Sequence, residues 1–593
     1  MKPILLSHWL QRLYPGTVPI VILISVYCCI TFGTLSKEPG FKYHEAVSSL
    51  RSAFTIAAVI TTAILLPLER AWGATYYVSS GIGSDSNTST QAQSKTTPWA
   101  HAPGMANCTS ACKSYTPVPG DQFILRGGDT WTSASFTWTI SWSGSSGAPI
   151  YFGVDQTWYT GSSWARPIWD MQGSALGGPN IVFQGANTAY ITIDNFEVIN
   201  FFWNRATQVY GDDVIFGFLG SAVSNITIDH VYVHRWSHGS NGNNCTYSSG
   251  VQCDNLMVVQ ASGQAVGPYF SPCEYNCVLE NSIIACPVGD GSCDGASGNA
   301  VNSAWGIVRN NVIHDMSNGI VGVNYQFHDN LIYNINASYD GYSHCNAYEG
   351  WSTLNDTTPQ YIYNNVMHDI GTGCYGYGLY GDDAASSDAR TTYLFDNVSW
   401  NIKTGHGPVE SDAVGNNQLE YIYNNTFFSN TGSQPCYHLS TNGGGGILNT
   451  LDWRGNFCIT DYSPALKLDA TPMHLTQIPT SLMGTANAAT AGYSVSQTYP
   501  GTSSPNCNGV SAAKGCPIGQ GIDFTSTSPG CSTTSTNSGS MASLCNSTTG
   551  GVAISNNSQL ISMGLATPRG NNWDSGAYQL GTQPPTNVVL TVK

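Results

Sequence analysis

From about residue 180 the apolar and polar positions return in one arrangement: a short β-rich run, a polar residue, an Asn, and a second β-rich run. The copies are YITIDNFEVINF (190–201), ITIDHVYVHRW (226–236), CVLENSIIACP (277–287), GIVRNNVIHDM (306–316), YQFHDNLIYNI (325–335), YIYNNVMHDIG (361–371), YLFDNVSWNIK (393–403) and YIYNNTFFSNT (421–431). The later copies follow one another at about 28–35 residues, with one spacing of 19. Alternation with period two, and enrichment in β-branched and aromatic residues, predict strands; runs of helical period are almost absent.

Units that recur at such a period stack on one another. A polar Asn between two strands marks a tight bend, because Asn tolerates left-handed backbone angles and bonds its own turn. If it recurs at the same bend of every coil, the side-chain amides form a ladder, each donating to one neighbouring coil and accepting from the other. The predicted fold class is all-β, a parallel β-helix of stacked coils. The expected ladder is Asn195, Asn281, Asn311, Asn330, Asn365, Asn397 and Asn425, with His230 at the equivalent place in the second copy.

These repeats resemble the right-handed parallel β-helix superfamily of pectate lyases, polygalacturonases and many secreted proteins. Two flanking phrases add to the resemblance. ATYYVSSGIGSDSN (74–87) with PGDQFILRGGDTW (119–131) is similar to the entry of bacterial members, and PRGNNWDSGAY (568–578) to their closing phrase. The resemblance spans roughly 75–580. It implies the fold and leaves the activity open, because this scaffold hosts lyases, hydrolases, epimerases and adhesins.

Two apolar runs, 18–32 and 53–67, precede the repeats. Arg51 before the second run and Ala71-Trp72-Gly73-Ala74 after it read as a secretory signal. The first run is either an extra span or an upstream extension of the reading frame, the extension being favoured. The mature chain is expected to begin near Thr75 and to be secreted or held at the cell surface, touching a membrane only through a retained leader. The expected organisation is a leader (1–74), the β-helix (75–483), a Cys-containing segment capping or finishing it (484–580) and a tail (581–593). Sixteen cysteines follow the leader, most with a near neighbour and none in zinc spacing, which predicts local disulfides of an oxidising compartment paired in sequence order.

Only 9% of the 593 residues are charged, and the net charge is −16. That balance excludes nucleic acid and anionic lipid as partners. The 32 Tyr and 16 Trp exclude a disordered polar chain.

After each bend the chain reaches a third short strand: HCNAYEG (344–350), YGYGLYGDD (375–383), GHGPVESD (405–412) and GGGILNTL (444–451). Neighbouring coils lie about 4.8 Å apart. Stacking would bring Glu349, Tyr380, Asp382, Asp383, His406, Glu410 and Asp412 to one surface, with His344 and Lys403 at its margin. Glycosidic cleavage needs this chemistry: one carboxylic acid to protonate the leaving oxygen, and a carboxylate to activate water or attack.

Gly381-Asp382-Asp383 and Gly405-His406-Gly407 are similar to two motifs of the polygalacturonase family. The family's Asn-x-Asp and Arg-x-Lys are missing, so a neutral or differently charged glycan is expected rather than polygalacturonate. The candidate catalytic residues are Asp382, Asp383, His406, Glu349 and Glu410; Tyr380, Lys403 and Asp412 are candidate substrate contacts. The leading function is cleavage of an extracellular polysaccharide with no cofactor. A lyase would need calcium, held by Asp382, Asp383, Glu410 and Asp412, and a base from Lys403 or Arg390. Two alternatives stand beside these: the carboxylates and His406 are turn residues, or the chain is an adhesive β-helix that binds glycan or protein without catalysis. His314-Asp315 and His368-Asp369 recur at one phase and predict stacked turn residues.

Overall fold

A computed structural model describes residues 73–172, 181–203, 213–220, 222–238, 256–262, 273–287, 289–290, 296–302, 305–321, 326–336, 345–350, 359–372, 374–380, 391–403, 407–412, 418–429, 434–440, 448–478 and 481–490. These residues form a parallel β-helix. One sheet holds 13 strands, from Thr75–Val78 to His474–Ile478, each paired in parallel with a strand of the next coil. The second and third strands of each coil stack in the same way.

Alternation within each strand divides inward from outward rows. Ile193, Ile228, Leu279, Val308, Phe327, Ile362, Leu394, Ile422 and Trp453 stand in register along the first sheet, all fully buried. They line the lumen and account for the period-two pattern of the repeats.

The ladder is real, but its phase differs from the expectation in the early coils. Asn311, Asn330, Asn365, Asn397 and Asn425 belong to it, and Asn456 closes it. From Asn330 onward the Oδ1 of each accepts from the backbone N–H and the Nδ2 of the Asn before it, at 2.9–3.1 Å. Asn195 and Asn281 are not rungs. They sit one position earlier, with His230, in the left-handed region (φ 65°, 52° and 51°), where Asn310 also lies. The ladder position of the early coils is filled by Phe196 and Val231, which are buried, and by Ser282, whose N–H donates to Asn311 Oδ1 at 3.0 Å. The two neighbouring positions want different things: the first a residue tolerant of positive φ, the second an inward side chain. Asn suits both, which is why the phase slipped.

A second corner repeats the device. Asp315, Asn334, Asp369 and Asn401 have φ of 53–55°. Asn334 donates to Asp315, and Asn401 to Asp369. Beside them the rings of His314, Tyr333, His368 and Trp400 stack at 4.5, 5.0 and 4.6 Å, so the recurring His-Asp pairs are stacked turn residues as expected.

The described disulfides are Cys108–Cys112, Cys273–Cys277, Cys345–Cys374 and Cys436–Cys458, all between cysteines consecutive in sequence. Cys345–Cys374 staples neighbouring coils just before their third strands, and Cys436, just before a third strand, reaches Cys458 in the strand Phe457–Ile459 of the next coil. Cys345–Cys374 closes 29 residues, and a Cys345→Ser/Cys374→Ser chain should lose about 3 kcal/mol of stability in urea titration.

Candidate active site

The third strands Asn346–Glu349, Tyr375–Tyr380, Val409–Asp412, Tyr437–Ser440 and Leu466–Leu468 pair in parallel, coil after coil. Their inward residues Tyr348, Tyr377, Val409, Tyr437 and Leu466 pack in the lumen. The adjacent row faces outward and reads Glu349, Gly378, Glu410, His438, Lys467, all in register. Two positions past Gly378 and Glu410, the next outward row pairs Tyr380 with Asp412, and Asp412 with Ser440. The strand alternation thus brings Glu349, Glu410, Asp412 and the backbone of Tyr380 to one face.

Glu410 is 2% exposed although it points away from the lumen. Burial first, and then the nearby Asp412 charge, push its carboxyl up to about 8. Asp412 is also raised by burial, partly offset by a hydrogen bond from Ser440 and by His438. Two carboxyls on one strand in a desolvated place do not both ionise readily, so one keeps its proton. Glu349 is likewise buried, and Asn346 Nδ2 donates to its Oε2 at 2.6 Å.

His438 Nε2 lies 2.8 Å from Asp469 Oδ2 and 3.0 Å from Lys467 Nζ. One nitrogen cannot donate to the first and accept from the second at once. The tautomer with N–H on Nε2 satisfies Asp469, whose carboxylate also draws Lys467 at 3.4 Å. The Asp469 carboxyl is lowered chiefly by that His438 bond. The same tautomer leaves the Nδ1 lone pair facing Glu410 Oε1 at 3.9 Å, beyond hydrogen-bond length but a short movement from it.

Other predicted residues fall elsewhere. Lys403 follows the strand Val398–Ile402 and is exposed; its charge acts on Asp369 at the corner. Asp382, Asp383, His406, His344 and Arg390 lie outside the described residues. Gly407, the last residue of Gly-His-Gly, has φ +90°, and a Cβ there would stand 2.2 Å from the Pro435 carbonyl oxygen. Backbone sterics alone therefore require that glycine. Gly407→Ala should cost about 2–3 kcal/mol in denaturant unfolding, whatever His406 does.

The fourth third strand is Tyr437–Ser440 rather than 444–451, and Thr450–Arg454 belongs to the first sheet. His438 and Asp469 were therefore missed, although YHLS follows VESD by one coil with the same alternation. Among the described residues the only three-ligand grouping suited to a cation is Asp194, Asp229 and His230, in earlier coils of the first sheet. Glu349, Glu410 and Asp412 do not make one.

No family model matches the chain, and no curated protein matches it. Similar solved structures include a GH136 lacto-N-biosidase from Eubacterium ramulus, 14% identical with a TM-score of 0.39, over 74% of this chain and 73% of that one. A rhamnogalacturonan lyase is 14% identical with a TM-score of 0.31, over 69% and 85%. A PL6 family alginate lyase is 12% identical with a TM-score of 0.31, over 62% and 49%. At these values the likeness carries neither an activity nor a substrate to this chain. The parallel β-helix stands on its own strand register and Asn ladder.

Proposed function

We propose that the protein is an exported enzyme that hydrolyses a glycosidic bond of an extracellular polysaccharide, with Glu410 as the general acid and Glu349 as the carboxylate that activates water. The observation that carries this reading is the outward row Glu349, Gly378, Glu410, His438. Glu410 keeps its proton near neutrality because it is buried beside Asp412. It gives that proton to the leaving oxygen and is ionised afterwards. His438, held by Asp469, stands next along the row with its Nδ1 lone pair turned to Glu410, and the ionised acid regains its proton from solvent water.

Glu349 is two coils from Glu410, so their backbones are about 9–10 Å apart. The rung between them is Gly378, which has no side chain to fill the gap. Separations of about 6.5–9.5 Å between carboxyl groups leave room for a water and accompany inversion at the anomeric carbon.

The experiment is a polysaccharide panel with residues 75–593, followed by reducing ends and by the ultraviolet absorbance of an unsaturated product, with and without calcium. New reducing ends without the absorbance, lost in Glu349→Gln, are expected. A calcium-dependent rise in absorbance would replace the hydrolase with a lyase. Silence of a folded chain across the panel would leave a glycan-binding scaffold.

A further inference from the structure

Glu420 lies on the opposite wall of the helix, in the inward row Thr392, Glu420, Leu451 of the first sheet. It is a carboxyl group inside the lumen, 3% exposed. Such a group is costly there unless hydrogen bonds satisfy it. Ser411 Oγ donates to its Oε1, and Tyr437 O–H donates to its Oε2 at 2.7 Å. Ser411 and Tyr437 are fully buried as well.

The placement of these two donors is what matters. Ser411 stands between Glu410 and Asp412 on one strand, and Tyr437 immediately precedes His438 on the next. Successive side chains of a strand point to opposite faces. One internal carboxyl group thus grips the inward residues of the two strands whose outward residues are Glu410, Asp412 and His438.

We propose that Glu420 is a positioning residue for the site: through Ser411 and Tyr437 it fixes, from inside the lumen, the two strands that present Glu410, Asp412 and His438. The role in catalysis rests on the reading of Glu410 as the acid. The hydrogen bonds across the lumen tie the first sheet to the third strands, so a change on one wall is felt on the outer face of the other.

The test uses the full chain with Glu420→Leu, Glu420→Gln, and the double change Ser411→Ala/Tyr437→Phe, which removes both donors and little volume. Two quantities are read: kcat against KM, and the pH midpoint of Glu410 ionisation, taken from the pH dependence of the urea midpoint of each variant with and without Glu410→Gln. Glu420→Leu is expected to lower kcat about tenfold or more with KM within about twofold. The Glu410 midpoint should move by about one pH unit as its packing loosens. Gln, which can still accept from one hydroxyl and donate to the other, should restore both quantities. Where Glu420→Leu fails to fold, the double variant decides. An unchanged midpoint in a folded variant overturns the proposal. Glu410→Gln run alongside separates the two readings: full activity there would sink the hydrolase mechanism, while the midpoint still decides Glu420.

Discussion

Glu410→Gln is expected to lower kcat/KM by about 10²–10⁴-fold, the usual contribution of a positioned general acid. Gln keeps the shape and cannot donate a transferable proton. The pH profile of the parent should fall as pH rises through about 8, where Glu410 loses its proton, and that descending limb should vanish in the variant's residual activity. The same group makes a statement about stability. Its carboxyl is raised above the ordinary Glu value by folding, so the folded chain holds the proton where the unfolded chain has released it. The stability linked to that proton is complete below the ordinary Glu range and is lost as pH climbs toward about 8. Glu410→Gln has no such loss. Urea midpoints should therefore fall with alkaline pH less in the variant than in the parent. Equal pH slopes in the two proteins would mean that Glu410 is ionised in the fold, and the assignment of the acid would have to move.

Asn397→Ala should be the most damaging single change away from the site, at about 3–5 kcal/mol. Asn397 Oδ1 accepts from the backbone N–H and the Nδ2 of Asn365, both at 3.0 Å. Its Nδ2 donates to Ile362 O, Phe395 O and Asn425 Oδ1 at 2.9–3.0 Å. Alanine removes all five contacts at a fully buried position, and each buried group left unmade costs about 1–3 kcal/mol. In stacked repeats such a loss is felt first at the interface between neighbouring coils. The contrast is Asn281→Gly, at the left-handed position, which should cost less than about 1 kcal/mol because glycine takes that conformation freely. Denaturant titrations of both variants would decide the phase of the ladder; equal losses would mean that the two bend positions share the burden.

Much of this architecture was legible because a β-helix writes itself into the sequence as period-two alternation punctuated by bends. The bends were seen, but not which of two adjacent polar positions turns inward. Asn195 and Asn281 satisfy the same residue preference as Asn310, so sequence spacing alone aligned them with Asn311. Asn456 escaped because Gly455, with φ +62°, supplies the left-handed position that the pattern expected from Asn or Asp. The shared face of Glu349, Glu410 and Asp412 was legible because strand alternation fixes it. His438 and Asp469 were missed because GGGILNTL imitated a third strand and displaced YHLS from that role. Glu420 was invisible for a different reason: a carboxyl group on a first-sheet strand reads as solvent-facing until Ser411 and Tyr437 are seen across the lumen.

Along this row the distance between the two groups proposed to react is quantised. Glu349 and Glu410 are separated by whole rungs, and the Gly378 coil is the unit inserted between them. Removing one such coil would shorten the Asn ladder by one rung and leave Cys345 without Cys374, and it would bring the two carboxyls onto adjacent rungs, about 4.8 Å apart along the axis. That is near the spacing of about 5 Å at which the second carboxyl becomes the nucleophile. For a scaffold of this sort, duplicating or deleting one repeat is a direct genetic route from inversion to retention of configuration. It requires no new catalytic residue, only a different count of coils.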